Sequence, residues 1–217
     1  MMIRFSIDDS SVVEWNVSID SSDRLISIPG VISGLIVSDN SCNDLIDLDL
    51  SRFENVKNVE IGSNALKNIK NLTMNGLNGL IRFGVGSGSL NGVEIMSIGS
   101  NSLNSISSFN FSLFSNVRRI EIGSRSMNNA SALILDGLNE LDELNVGFES
   151  MTGVERVDIG SNSLNSISSF DFSLFSNVKV IEIGHESMNQ VVNVTANRLG
   201  MLQNVRIDDD SLKNTTK

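Results

Sequence analysis

The chain has 217 residues, enough to bury a sizeable core, with 40% hydrophobic residues and a formal net charge of -10. That charge argues against a nucleic-acid backbone or an anionic membrane surface as partner, because both call for clustered Lys and Arg. No apolar run approaches the roughly 20 residues that span a bilayer, and a single cysteine, Cys42, excludes an internal disulfide.

Residues 1–31 carry two strand-like alternations, Ile3-Arg4-Phe5-Ser6-Ile7 and Trp15-Asn16-Val17-Ser18-Ile19. They fit the pattern that follows poorly and are expected to form an N-terminal cap, with Trp15 covering the open core. The opening MMIRFSIDDSSVVEW has neither the basic start nor the apolar run of a signal peptide. With no spanning segment and one cysteine, an intracellular location is the favoured expectation.

From residue 32 to 217 the chain is repetitive. The stretch Ile98–Val117 returns as Ile159–Val178 with one change, Asn110 to Asp171. A fixed slot holds Ser38, Gly62, Gly86, Gly99, Gly123, Gly147, Gly160, Gly184 and Asp208, at spacings of 24, 24, 13, 24, 24, 13, 24 and 24. A block of three motifs has therefore been copied. Each motif reads apolar-x-x-apolar-x-apolar-x-x-N-x-apolar, as in VKNVEIGSNAL (Val56 to Leu66) and VERVDIGSNSL (Val154 to Leu164). The last apolar slot runs Cys42, Leu66, Leu90, Leu103, Met127, Met151, Leu164, Met188 and Leu212.

This pattern resembles the leucine-rich repeat, in the degenerate Ile-Gly form of large protist protein families, from Ile32 to Leu212. The resemblance implies a mainly β, right-handed solenoid of short parallel strands with about 24 residues per coil and little helix. It also implies a protein-binding surface. In that family the Asn slot hydrogen-bonds turn backbone; here Asn40, Asn64, Asn101 and Asn162 fill it, while Gly88, Arg125, Glu149, Glu186 and Asp210 replace it.

The residues themselves support strands. Val59-Glu60-Ile61 and Ile120-Glu121-Ile122 alternate, with flanking residues expected inward and the middle one outward. The Gly after each strand is expected to allow a tight or left-handed turn. The Ser before the last apolar slot, present everywhere except at Ala65, is expected to bond local backbone and end the strand. Second strand-like segments lie between most motifs: Leu72-Thr73-Met74, Phe109-Asn110-Phe111, Leu133-Ile134-Leu135, Phe170-Asp171-Phe172 and Val192-Asn193-Val194. The 13-residue steps allow two readings. In one they are half-coils, so that two sheets alternate and each short step exchanges the face on which the motif lies. In the other, all nine motifs share one sheet and the short steps are cramped coils. The first is favoured, because a closed coil of 13 residues has only about 40 Å of chain to travel out and back. The stack would be roughly 35 Å long at ~4.8 Å per coil.

Outward positions then fall on two faces. One carries Glu60, Gly84, Asn110, Ile134, Asp158, Glu182 and Arg206; the other carries Asp49, Thr73, Ser97, Glu121, Asn145, Asp171 and Asn193. Among these, Glu60, Glu121, Asp158, Asp171, Glu182 and Arg206 are the candidate partner-binding positions. Arg119 beside Glu121 and Arg156 beside Asp158 share a face with those acids and can offset them.

Catalytic chemistry has little support. His185 is the only histidine and sits in a repeat turn, with no marked nucleophile or orienting acid. Cys42 replaces a core Leu and is expected to be buried and inert. The run Gly84-Val85-Gly86-Ser87-Gly88 lacks the Lys of a phosphate-binding loop. The Ser- and Asn-rich turns are weak ligands for calcium. Six N-x-S/T sequons, at Asn16, Asn71, Asn110, Asn129, Asn193 and Asn214, match the level that this composition gives by chance. The expectation is a non-enzymatic module with no cofactor or metal, binding a protein partner and neither nucleic acid nor membrane. End-to-end self-association is the alternative: Leu212 is followed only by KNTTK, so either the acidic run Asp208-Asp209-Asp210 blunts the last edge, the favoured answer, or the chain stacks on another molecule there.

Overall fold

A computed structural model describes the main chain of residues 3–7 and 13–215 and the side chains of residues 16–215. The chain winds as a parallel β-solenoid of about seven turns. In chain order the strands are β1 (Ile3–Ile7), β2 (Val13–Ile19), β3 (Gly34–Val37), β4 (Asp47–Asp49), β5 (Asn58–Ile61) and β6 (Asn71–Met74). Next come β7 (Arg82–Val85), β8 (Ile95–Ile98), β9 (Phe109–Asn110), β10 (Arg119–Ile122), β11 (Ala132–Ile134) and β12 (Glu143–Val146). The last are β13 (Arg156–Ile159), β14 (Ser169–Asp171), β15 (Val180–Ile183), β16 (Asn193–Thr195) and β17 (Asn204–Ile207). Helix is limited, among the described residues, to α1 (Ser22–Ser27) and two 3-10 turns, Phe111–Leu113 and Phe172–Leu174.

From β3 onward, successive strands alternate between two faces. The first face is built by β1-β2-β3-β5-β7 and then β9-β11-β13-β15-β17, the second by β4-β6-β8-β10-β12 and then β14-β16. The 13-residue steps do exchange faces: motif strands occupy the first face up to β7, the second from β8 to β12, and the first again from β13.

Unequal half-coils explain why. Along the inward residues Leu35, Leu48, Val59, Leu72 and Phe83, a longer step alternates with a shorter one. The half-coil that carries the motif turn is the longer, by two residues, and one of each kind makes up a coil. Two long halves meet between Phe83 and Phe109 and again between Leu144 and Phe170, so each of those coils is two residues longer than its neighbours. At those two places the hydrogen-bonded ladder breaks, between β7 and β9 and between β12 and β14. The surplus puts the next strand out of register. Packing still continues across the first break, where the Phe83 and Phe109 rings stack at 5.7 Å.

The strands form where Val, Ile, Leu or Phe alternates with a polar residue, so one face of each strand is turned to a shared interior. In β5, Val59 and Ile61 are buried while Asn58 is exposed. The buried set is one cluster running from Val17 to Val191.

The corners correct two expectations and extend a third. The glycines of the fixed slot are not left-handed; positive φ falls on the Asn slot and on the last apolar slot, as at Asn64 (56°) and Leu66 (52°). Glycine is needed there for proximity. A Cβ on Gly62, Gly86 or Gly184 would stand 2.6 Å from the amide nitrogen of Asp39, Ser63 or Ser161 in the preceding coil. The Asn slot, in turn, bonds through its main chain: Asn64 N–H donates to Ser87 O at 2.9 Å and Asn101 N–H to Ser124 O at 2.8 Å. Side-chain bonding between coils comes instead from the Asn after the last apolar slot. Asn104 Nδ2 donates to Arg125 O at 2.9 Å, and its Oδ1 accepts from Asn128 N at 3.0 Å.

The serines bond local backbone as expected, Ser102 Oγ to Ser100 O at 3.2 Å and Ser126 Oγ to Ser124 O at 3.3 Å, and they also reach beyond their own strand. Ser126 Oγ donates to Gly99 O at 2.6 Å and accepts from Ser102 N at 3.1 Å, so a buried hydroxyl staples one coil to the one before it. Ser89, Ser150, Ser187 and Ser211 make the same bond to a glycine carbonyl of the preceding coil.

At the N-terminal end β1 pairs antiparallel with β2, and β2 runs parallel to β3. Leu25 of α1 is buried, and the Arg52 guanidinium bonds the carbonyls of Leu25 and Ile26 at the helix end while lying 4.6 Å over the Phe53 ring. The Trp15 side chain lies outside the described residues. At the C-terminal end the acidic run does not close the core. Asp208 pairs with Arg206 at 3.0 Å, while Val205 and Ile207 stay half exposed.

Candidate functional site

The six candidate positions fall on different stretches of the solenoid. Glu60, in β5, lies between Ile36 and Gly84 and pairs with Arg82 at 2.6 Å. Glu121, in β10, stands between Ser97 and Asn145, with Arg119 between it (3.8 Å) and Glu143 (2.8 Å). Asp171, in β14, neighbours Thr195 rather than the expected Asn193, because Val194 and not Val192 is opposite Phe170. Asp171 also serves the fold, since its Oδ1 accepts from Ser173 N at 2.8 Å and caps a 3-10 turn. Asn110 caps the equivalent turn through Ser112 N at 3.0 Å, so the one substitution between the copied stretches keeps its function.

The remaining three, Asp158, Glu182 and Arg206, stack in register on β13, β15 and β17. They line an open groove of about 340 Å³ with Asp136, Arg156, Ser161 and Asp208 around its rim and Ile134 at one end. Arg156 is the hub. Its Nε donates to Asp158 Oδ2 at 2.8 Å and its Nη2 to Glu182 Oε2 at 2.6 Å. The hydrogen bond with Asp158, joined by the charges of Asp158 and Glu182, raises the Arg156 pKa further and keeps the guanidinium charged. Without it the two carboxylates one strand apart would repel.

Four carboxylates and two guanidiniums line the groove, so acid remains in excess. Asp158 Oδ1 is buried and is the one buried side-chain oxygen or nitrogen without a hydrogen-bond partner among the described residues. Asp136 was not singled out from sequence. It comes from the corner after β11, and its carboxylate presses against Gly160, so the glycine one repeat further on is the signal that marks it.

Elsewhere surface charge serves to hold coils together. Lys70–Glu94 (2.5 Å), Arg125–Glu149 (2.9 Å) and Glu155–Lys179 (2.6 Å) each join one coil to the next. The hydrogen bond from Lys70 and then its charge hold the Glu94 carboxyl below its usual range. Exposed pairs of this kind contribute little to stability but favour correct stacking.

Cys42 is buried, and burial first, then the charges of Asp44 and Asp20, push its thiol pKa up, while a bond from Ser22 opposes them. Burial and the raised pKa keep it as the less reactive thiol form. His185, Glu186 and Asp210 bring their ligand atoms within 4.8 Å of one another at the surface. Lys213 already reaches Asp210 at 3.3 Å, and His185 Nδ1 lies 2.8 Å from Asp209 O. Compared with protein families, characterised proteins and solved structures, the chain matches none of them.

Proposed function

We propose that the chain is a non-enzymatic protein–protein interaction module, a leucine-rich-repeat-like solenoid that offers an outward sheet face to a protein partner. The observation that carries the reading is the groove over β13, β15 and β17, where Asp158, Glu182 and Arg206 converge on one surface. Its excess of carboxylate suits a partner surface that brings hydrogen-bond donors, Lys or Arg above all. The short parallel ladders of this face keep the three side chains about one strand spacing apart, on a rigid element rather than on a loop.

Immobilised chain is expected to retain a protein from lysate, and Glu182→Lys with Arg206→Glu is expected to release it without change in circular dichroism. Retention that ignores both charge reversals would remove the groove from the reading, and no retained protein from several lysates would remove the reading itself.

A second reading, a structural or self-assembling unit, is favoured by the half-exposed Val205, Ile207 and Met201 of the last coil. Light scattering behind size-exclusion chromatography across a concentration series tests it. A monomer at every concentration counts against it.

A further inference from the structure

The last coil of this 217-residue chain is packed on one side only. Strand β17 pairs with β15 on one side only. Val205 and Ile207 are 49% and 51% exposed, whereas their counterparts one coil back, Ile181 and Ile183, are 3% and 2% exposed. Asp208 N–H donates back to Ile183 O at 2.9 Å. Main-chain groups alternate along a ladder, so those of Val205 and Ile207 face away from β15, into the open side. Such an edge is a template for a further strand.

We propose that this edge pairs with the same edge of a second copy, as an antiparallel two-fold pair centred on Ile207. The inference rests on the self-assembly reading and fixes its geometry. A two-fold interface must be complementary to itself, and β17 with the residue after it meets that condition. Arg206 and Asp208 flank Ile207 on the outward side. Centring on Ile207 sets Arg206 of each copy opposite Asp208 of the other, twice per interface. It also brings the two Ile207 side chains together on the inner side, where the apolar interiors meet.

The neighbouring registers do worse. Centring on Arg206 opposes two guanidiniums, and centring on Val205 sets Arg206 against the neutral Asn204. Opposite charges facing each other stabilise an antiparallel pair and like charges destabilise it.

Two measurements on the 217-residue chain test the register. In a hydrogen-bonded antiparallel pair the facing Cα atoms are about 5.5 Å apart, within disulfide reach. Ile207→Cys is expected to give a disulfide-linked dimer under mild oxidation, while Asn204→Cys is expected not to; Cys42, buried, does not compete. By light scattering, Arg206→Asp is expected to weaken the dimer about tenfold, and the double exchange Arg206→Asp with Asp208→Arg to restore it.

A dimer with no Ile207→Cys cross-link and no response to Arg206→Asp overturns the register and leaves self-assembly standing. Open-ended filaments overturn the two-fold arrangement in favour of head-to-tail stacking. A monomer at all concentrations overturns both.

Discussion

Two residue types define the corners, and each does so by a contact one coil away. Glycine in the fixed slot leaves room for the preceding coil. Gly147→Ala would put a Cβ 2.5 Å from Ser124 N and 2.7 Å from the Gly123 carbonyl carbon, both main-chain atoms that cannot step aside. The variant is expected to lose about 1–3 kcal/mol, read as a lower urea midpoint. Serine then bonds the gap it borders. Ala65 is the one slot without it, yet it is fully buried in the same corner. By the pattern of Ser89, an Ala65→Ser hydroxyl would donate to Ser38 O and accept from Ser41 N. A gain of about 1 kcal/mol is expected, seen as a raised urea midpoint. The positive φ of Leu66 and Met188 costs about 1–2 kcal/mol each. Main-chain bonds to the preceding coil, Leu66 N to Ser41 O at 3.0 Å and Met188 N to Ser163 O at 2.9 Å, hold them there.

At the scale of elements, the half-coil is the unit, and its two lengths decide where ladders run and where they break. The copied stretch brings its own aromatic wedge to each lengthened coil. Phe109 lies 4.9 Å from Phe111 and 6.2 Å from Phe114, and Phe170 lies 4.7 Å from Phe172 and 6.5 Å from Phe175. Only the first wedge has the stack on Phe83, which bridges the broken ladder between β7 and β9. Phe109→Ala is expected to cost about 3–5 kcal/mol and more than Phe170→Ala, since two coils lose contact rather than one. Thermal or urea unfolding of the two variants side by side checks the order.

For the whole molecule, stability is set by neighbours: each coil is held by the coil before and the coil after. The interior is continuous through the middle, whereas all four residues of β17 are exposed. Hydrogen exchange is therefore expected to be slowest for the amides of β8, β10 and β13 and fastest, among the strands from β3 onward, for β17. Uniform protection along the stack would mean that the last coil is covered in solution. The acidic balance belongs to this scale as well. Many carboxylates are matched to Lys or Arg one coil away, so the groove over β13 to β17 stands out by unmatched acid rather than by charge as such.

The repeat spacing alone determined the coil length and the buried apolar slots of the motif, and it favoured the two-face alternation over a single sheet. An alternation within each strand and a fixed period from coil to coil are written in the order of apolar residues, which must share one interior. The exchange of faces at the short steps was only the favoured of two sequence readings and was decided by the strand pairing. What glycine and Asn do at the corners, and the reach of Ser beyond its local bond, was decided only by the fold, because those partners lie about one repeat away, across a coil boundary. The register of Asp171 against Thr195 and the gathering of Asp136 into the groove were likewise set by stacking, since a sequence orders residues along the strand but not the neighbours that come to lie beside them.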